Sequence, residues 1–234
     1  MWALLHILLS SNVSARALHE IKSSIIPGAG KFDIAALCSK PLLNSIYLEA
    51  LRYSVAVAVA RNPVSSSVSL GNWTITPDAT VLSISWFGAH DASFWNAGHG
   101  GRHPVNNFWP ERFLEFPDDP ASGPIKKKST ANLVARSQAE QERSAEDDKL
   151  ATVVTAGTQG HLYPYGGGVK MCPGRFFAKQ EMLASIAVLL YEFEIEIIDF
   201  KAAARARPDA KYFPIGAMPP DRKVPIRIRR RQNP

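Results

Sequence analysis

The stretch that most restricts the fold is Tyr165-Gly166-Gly167-Gly168-Val169-Lys170-Met171-Cys172-Pro173-Gly174-Arg175, a glycine-rich loop entering an apolar helix predicted over residues 175–191. Glycines let a backbone take positive φ and approach a flat or bulky ligand closely. Pro173 suits the first helical position, where its missing N–H costs nothing. Cys172 is thereby placed at a helix N-terminus, where unpaired N–H groups and the helix dipole stabilise negative charge and favour a thiolate.

A thiolate there can be a nucleophile, a redox thiol or a metal ligand, and the plain alternative is a buried structural cysteine. A nucleophile needs a base, and His161 belongs to no known pairing pattern. Zinc needs further ligands at ligand spacing, and Cys38, the second of the two cysteines, stands alone. A phosphate loop calls for Ser or Thr after Lys170, where Met171 stands. Thiolate ligation of a haem iron is the reading that remains.

The rest of the chain has to supply a core for that loop. With 234 residues, 46% of them apolar, it is sized for one large domain or two small ones, and neither disorder nor a repeat array fits. The longest apolar runs, residues 55–60 and 186–191, fall short of the roughly 18 residues that a membrane span requires. Residues 1–9 lack the basic start and small-residue cleavage site of a signal peptide. The two distant cysteines read as reduced thiols.

Periodicity divides the chain into zones. Residues 1–61 show helical spacing for three helices, with Asn12 or Ser14 as caps for residues 15–25 and a stop at Pro27-Gly28. Residues 64–87 hold short β-branched runs (65–70, 72–75, 80–84) that predict one small antiparallel sheet. Residues 89–116 are aromatic, Gly-rich and aperiodic. Residues 117–160 are polar and read as an exposed, partly helical insertion. Residues 161–191 hold the loop and its helix, and 192–234 read as strands with a basic tail. The fold class is mainly α with small antiparallel sheets.

The net charge of +6 gathers in residues 126–128 and in Arg227, Arg229, Arg230 and Arg231. The tail alternates Arg with Ile and has no interleaved aromatics, which speaks against nucleic acid and for a solvated tail or a docking face for an acidic partner.

The loop resembles the haem-binding signature of the cytochrome P-450 family, in its fungal type: an aromatic Phe, two residues, Gly, one residue, a basic residue, one residue, Cys, one residue and Gly. Tyr165, Gly168, Lys170, Cys172 and Gly174 occupy those places, with Tyr165 in place of Phe and Lys170 in place of Arg or His. Further marks follow in the family's order: Glu49-Ala50-Leu51-Arg52 for Glu-x-x-Arg, and Pro110-Glu111-Arg112-Phe113. Alone, Glu49 and Arg52 would be an ordinary surface pair contributing a few tenths of a kcal/mol, about 0.2–0.5. Their companions make them members of a buried network with Arg112, in which two guanidiniums satisfy one carboxylate.

The resemblance implies haem b ligated by the Cys172 thiolate, with Tyr165, Gly168, Lys170, Gly174 and Arg61 toward the haem, Arg61 on a propionate, and Glu49, Arg52 and Arg112 structural. It implies a monooxygenase inserting one oxygen atom into a lipophilic substrate, an NADPH-cytochrome reductase or similar electron donor, and an endoplasmic reticulum membrane setting for the full-length family. Residues 54–60 and 215–218 fall where such enzymes line the substrate pocket. A metal cluster of His90, His99, His103 and Asp91 is set aside, because their spacing fits no standard ligand pattern.

Residues 2–9 resemble only the tail of the family's distal helix, and no Ala-Gly-x-acidic-Thr pattern occurs, so no distal proton-delivery residue is expected. The reading is a C-terminal portion of the fold, from a truncated gene model or a pseudogene product, with doubtful activity when isolated and with apolar faces left exposed. A non-catalytic haem-binding or interaction fragment is the second reading, and a basic nucleic-acid binder the third.

Overall fold

The structure is a computed structural model that describes residues 1–127 and 142–232. Two helices open it, α1 (Trp2–Leu8) and α2 (Ser11–Lys22), divided by Ser10, whose Oγ accepts the Val13 N–H at 3.3 Å. The predicted caps Asn12 and Ser14 lie inside α2, because the extended backbone needed at a cap occurs at Ser10. A turn at Pro27-Gly28 joins β1 (Ile25–Ile26) to β2 (Lys31–Phe32), and α3 (Ile34–Leu37) follows, capped by Asp33.

Helix α4 (Pro41–Ser54) has Pro at its first turn and no cap from its own flank. The buried Glu20 of α2 supplies one, accepting the N–H groups of Leu42 and Leu43 at 3.0 and 2.9 Å. The helical zone expected to reach Arg61 ends at Ser54. Residues Val55–Arg61 form β3, because the alternation of Val and Ala has period two and suits a pleated, half-buried surface.

The single sheet expected over residues 64–87 is divided. Strands β4 (Val68–Leu70) and β5 (Trp73–Ile75) form a hairpin of their own, while β6 (Val81–Ile84) pairs antiparallel with β3, Ala58 facing Ile84. A short helix α5 (Ser85–Ala89) leads into the irregular segment, which ends at β7 (Leu114–Glu115).

The insertion is partly helical, as expected, but it is only partly exposed. Lys128 and residues 129–141 lie outside the described residues, but Arg143, Asp148, Ala151 and Thr158 are buried. Helix α6 (Ala145–Leu150) starts with a Ser144–Asp147 capping box, and β8 (Thr152–Val153) pairs with β7. Burial follows from charge: the Arg16 guanidinium of α2 grips Asp148 with two hydrogen bonds, 2.8 and 2.5 Å, and also bonds Glu111. An acidic helix reads as solvated until its distant partner is known.

Helix α7 (Arg175–Glu192) buries Leu183, Ile186, Ala187 and Leu190, a stripe at helical spacing, against a core built from α1, α2 and α4. The chain then forms β9 (Phe193–Ile197), α8 (Phe200–Ala204), β10 (Ile215–Ala217) and β11 (Ile226–Arg230). Strand β10 joins the other edge of β3.

The basic tail is the second strand of a charged ribbon. In the β9–β11 register Arg227 faces Glu196 and Arg229 faces Glu194, with the Arg227–Glu196 pair at 2.7 Å; Arg230 also reaches Glu192 at 3.4 Å. These arginines have carboxylate partners across the strand pair while their side chains stay largely exposed, so the tail is solvated as expected and is paired as well.

Candidate functional site

The site begins with the helix α4 carboxylate. Glu49, Arg52 and Arg112 are each 0% exposed. Arg52 reaches Glu49 through Nε and Nη2 at 2.7 and 2.8 Å, Arg112 Nε lies 3.1 Å from both carboxylate oxygens, and the Trp109 N–H donates at 2.9 Å. The remaining guanidinium donors go to main-chain carbonyls: Arg52 to Ala89 and Asn107, Arg112 to Asn96, His103 and Asn107. Burial opposes ionisation of Glu49, but Arg112 and Arg52 outweigh it and hold the carboxylate below its usual range. Burial likewise pushes Arg112 down to about 10, against the pull of Glu49.

Neighbouring motif residues thus serve two helices. Arg112 anchors the irregular segment to α4, and Glu111 anchors it to Arg16 of α2. The partner of Glu111 was not legible locally, since Arg16 stands 95 residues away and no short pattern joins them.

From the end of α4 the chain runs along β3, which carries the pocket-lining candidates. Residues 54–60 and 215–218 are brought side by side, with Ile215 opposite Val57 and Ala217 opposite Val55. At the far end of β3, exposed Arg61 donates from Nη2 to the Gly167 carbonyl at 2.8 Å. Val59 also approaches the loop, 3.8 Å from where a Cβ on Gly166 would stand.

The loop has the backbone that its glycines foretell at two positions. Gly166 and Gly168 have φ of 76° and 68°, where a side chain is strained. No atom outside the immediate chain lies within 4 Å of a Cβ built at Gly167 or Gly168, so that stretch is an open face. The Cys172 N–H donates to the Tyr165 carbonyl at 3.0 Å and closes the loop, and Arg175 Nη1 donates to the Cys172 carbonyl at 3.0 Å. Lys170 ends a short 3-10 turn and is exposed.

Cys172 is exposed and its thiol is free, as is that of Cys38. Pro173 is not the first helical residue: α7 starts at Arg175 with Gly174 as its cap, because the turn at 173–174 precedes the first i→i−4 bond, from Ala178 to Gly174. The sulfur nevertheless lies against the start of α7, 3.7 Å from a Cβ built on Gly174. Exposed Val169, Met171, Phe176 and Phe177 surround it in sequence with apolar surface.

Tyr165 does more than supply a ring. Its hydroxyl lies 2.8 Å from that of Tyr47 on α4. Both tyrosines line a cavity of about 640 Å³ under the loop, together with Gly166–Gly168, Arg175 and Lys179; Cys172 is not among its lining residues. Sequence reasoning missed Tyr47, because a tyrosine within an apolar helix gives no local sign of a partner 118 residues on.

The histidines are kept apart. His90 stacks on Trp86, His99 Nε2 bonds Asp119 at 2.8 Å, His103 stacks on Trp109, and Asp91 holds Ser93. Among the described residues no group of three or more His, Cys, Asp or Glu is placed to hold a metal ion. An exposed thiol that belongs to no such group among the described residues suits an iron whose other ligands come from a porphyrin better than it suits zinc. An open glycine face beside it, with Arg61, Lys170 and Arg175 as nearby cations, fits a flat anionic group, so the residues present fit a haem.

Comparison with known proteins gives the family. The Cytochrome P450 family model matches residues 1–134, and the chain belongs to that family. It is 35% identical to the "Cytochrome P450 monooxygenase efuG" of Hormonema carpetanum, over 94% of this chain and 37% of that protein. It is 37% identical to the "Cytochrome P450 monooxygenase fsoE" of Humicola fuscoatra, over 99% of this chain and 39% of that protein. The chain therefore spans about two fifths of the length of these relatives. A crystal structure of a cytochrome P450 superposes with a TM-score of 0.62 at 21% identity, covering 98% of this chain and 41% of the other, which supports the fold alone. Among the described residues no helix is long and apolar enough to cross a membrane.

Proposed function

We propose that this chain is the thiolate-bearing portion of a haem-thiolate monooxygenase, with Cys172 the protein ligand to a haem b iron. The observation that carries the reading is the exposed Cys172 thiol at the end of an open glycine loop, against the start of α7. The names of the fungal relatives support the monooxygenase class. When bound, a haem of this kind supplies reductive activation of dioxygen, inserting one oxygen atom into an organic substrate and releasing the other as water.

The chain's own residues divide the remaining work. Cys172 binds through Sγ. Gly168 and Gly174 keep the approach to it free of side chains, and Arg61 and Lys170 offer positive charge to the propionates. Tyr165 holds the loop by its carbonyl, while Glu49, Arg52 and Arg112 fix α4 beneath it. The apolar strands β3 and β10 are the candidate lining for a lipophilic substrate. An NADPH-cytochrome reductase or similar protein is the electron donor of choice, and an endoplasmic reticulum membrane the setting of the full-length family. The zones 1–61, 64–87, 89–116, 117–160, 161–191 and 192–234 are parts of one partial domain.

Reconstitution tests this directly. The purified chain mixed with haemin is expected to elute from gel filtration with one equivalent of haem, and Cys172→Ser to lose the thiolate-type spectrum. A chain that elutes without haem would sink both the enzyme and the haem-binder readings.

A further inference from the structure

We propose that Tyr47 is a positioning residue for the Cys172 loop, acting through the hydroxyl of Tyr165. Tyr47 sits two residues before Glu49 on α4, the helix tied down by the buried ion network, and is itself buried. Its hydroxyl meets that of Tyr165 at 2.8 Å, and Lys179 of α7 lies 6.0 Å from its ring centroid. The main-chain carbonyl of the same Tyr165 accepts the Cys172 N–H at 3.0 Å. Tyr165 therefore carries both links of a path from α4 to the cysteine.

The other holds on the loop are weaker anchors. Arg61 on the Gly167 carbonyl and Arg175 on the Cys172 carbonyl are solvent-exposed bonds, which water replaces at little cost. The tyrosine pair is part-buried, so losing one hydroxyl leaves the other short of a partner. Burial first, and then the bond from Tyr165, raise the Tyr47 phenol above its ordinary range and keep it protonated. A phenylalanine at position 165, the usual residue of the resembling pattern, has no hydroxyl to tie to α4. The link belongs to this chain's own pair of tyrosines.

Its consequence for a haem iron rests on the reading above, whereas the positioning itself does not, and the test separates the two. Backbone hydrogen exchange is measured on the full haem-free chain by mass spectrometry, for wild type, Tyr47→Phe, Tyr165→Phe and the double variant. Tyr163→Phe is the control, because Tyr163 lies just before the loop and bonds Ser83 of β6 at 2.9 Å instead of α4. Each single variant is expected to speed exchange at the Cys172 amide about fivefold, equivalent to about 1 kcal/mol. The double variant is expected to add nothing further, and the control to match wild type. Wild-type rates in either single variant, or a double whose acceleration is the product of the two singles, would overturn the proposal. After reconstitution with haemin, reduction and CO binding, both single variants are expected to show a smaller share of the thiolate-type band than wild type. An unchanged share would overturn the claim that the link positions the thiol. A wild-type chain that takes up no haem refutes the ligation reading, and the exchange rates then decide the positioning.

Discussion

Replacing Glu49 with Gln keeps the side-chain volume and removes one charge from a site with 0% exposure. In the wild type the carboxylate neutralises one of two buried guanidiniums and takes hydrogen bonds from both, and from the Trp109 N–H. The amide keeps a single acceptor oxygen and turns an NH₂ toward a cation. Two buried positive charges then lie side by side with no counterion. Breaking a buried pair typically costs 3–5 kcal/mol, and stranding two cations puts this case near the upper end, about 5 kcal/mol. Against a total stability of roughly 5–15 kcal/mol, that is enough to unfold a marginal chain. The assay is urea unfolding followed by tryptophan fluorescence, with Glu49→Asp as an intermediate that keeps the charge but shortens the reach. A Glu49→Gln loss below about 1 kcal/mol would refute the reasoning, because it would reduce the network to an ordinary i,i+3 surface pair.

Glu20 gives a pH signature: burial raises its carboxyl to about 7 despite the two N–H groups it accepts from α4. Because this folded-state value lies above the ordinary one, its contribution is full below about pH 4.5 and falls by about 3 kcal/mol as pH rises through 7. His6 and His90, lowered by burial to about 4, act in the opposite sense, contributing above about 6.5 and losing their contribution as pH falls toward 4. Two histidines outweigh one carboxyl, so stability should rise from about pH 4.5 to 6.5 and level off near 7, and Glu20→Gln should steepen that rise; the same pH dependence of the urea midpoint in variant and wild type would contradict this. A double-mutant cycle on Arg16→Ala and Asp148→Ala should give a coupling of about 2 kcal/mol, since the pair is bidentate and buried, and a value near zero would mean that this pair does not dock α6 onto α2. Gly168→Ala should cost roughly 1–2 kcal/mol from its φ of 68° alone, with no steric neighbour, so a loss much larger than that would mean that the loop face is closed.

What could be read from sequence depended on how local the physics was. The α7 stripe, the glycine loop and the Glu49–Arg52 spacing were legible because period, backbone freedom and i,i+3 geometry act within a few residues. The α4-to-β3 switch at Val55 was missed because the apolar run fits either period until the neighbouring strands β6 and β10 are present. The burial of Asp148, the Glu20 cap and the Tyr47–Tyr165 pair were hidden for one reason: each is completed by a residue from 22 to 132 positions away. The cross-strand pairing of the solvated basic tail was hidden in the same way, since its carboxylate partners stand 31 to 38 positions away.

The central claim is that Cys172 supplies a thiolate to a haem iron, and the spectrum of the reduced, CO-bound chain tests it most directly. The account predicts a red-shifted Soret band of the thiolate type in the wild type that disappears in Cys172→Ser and persists in Cys38→Ser. A haem-loaded chain whose reduced CO spectrum is the same with and without Cys172 would contradict it.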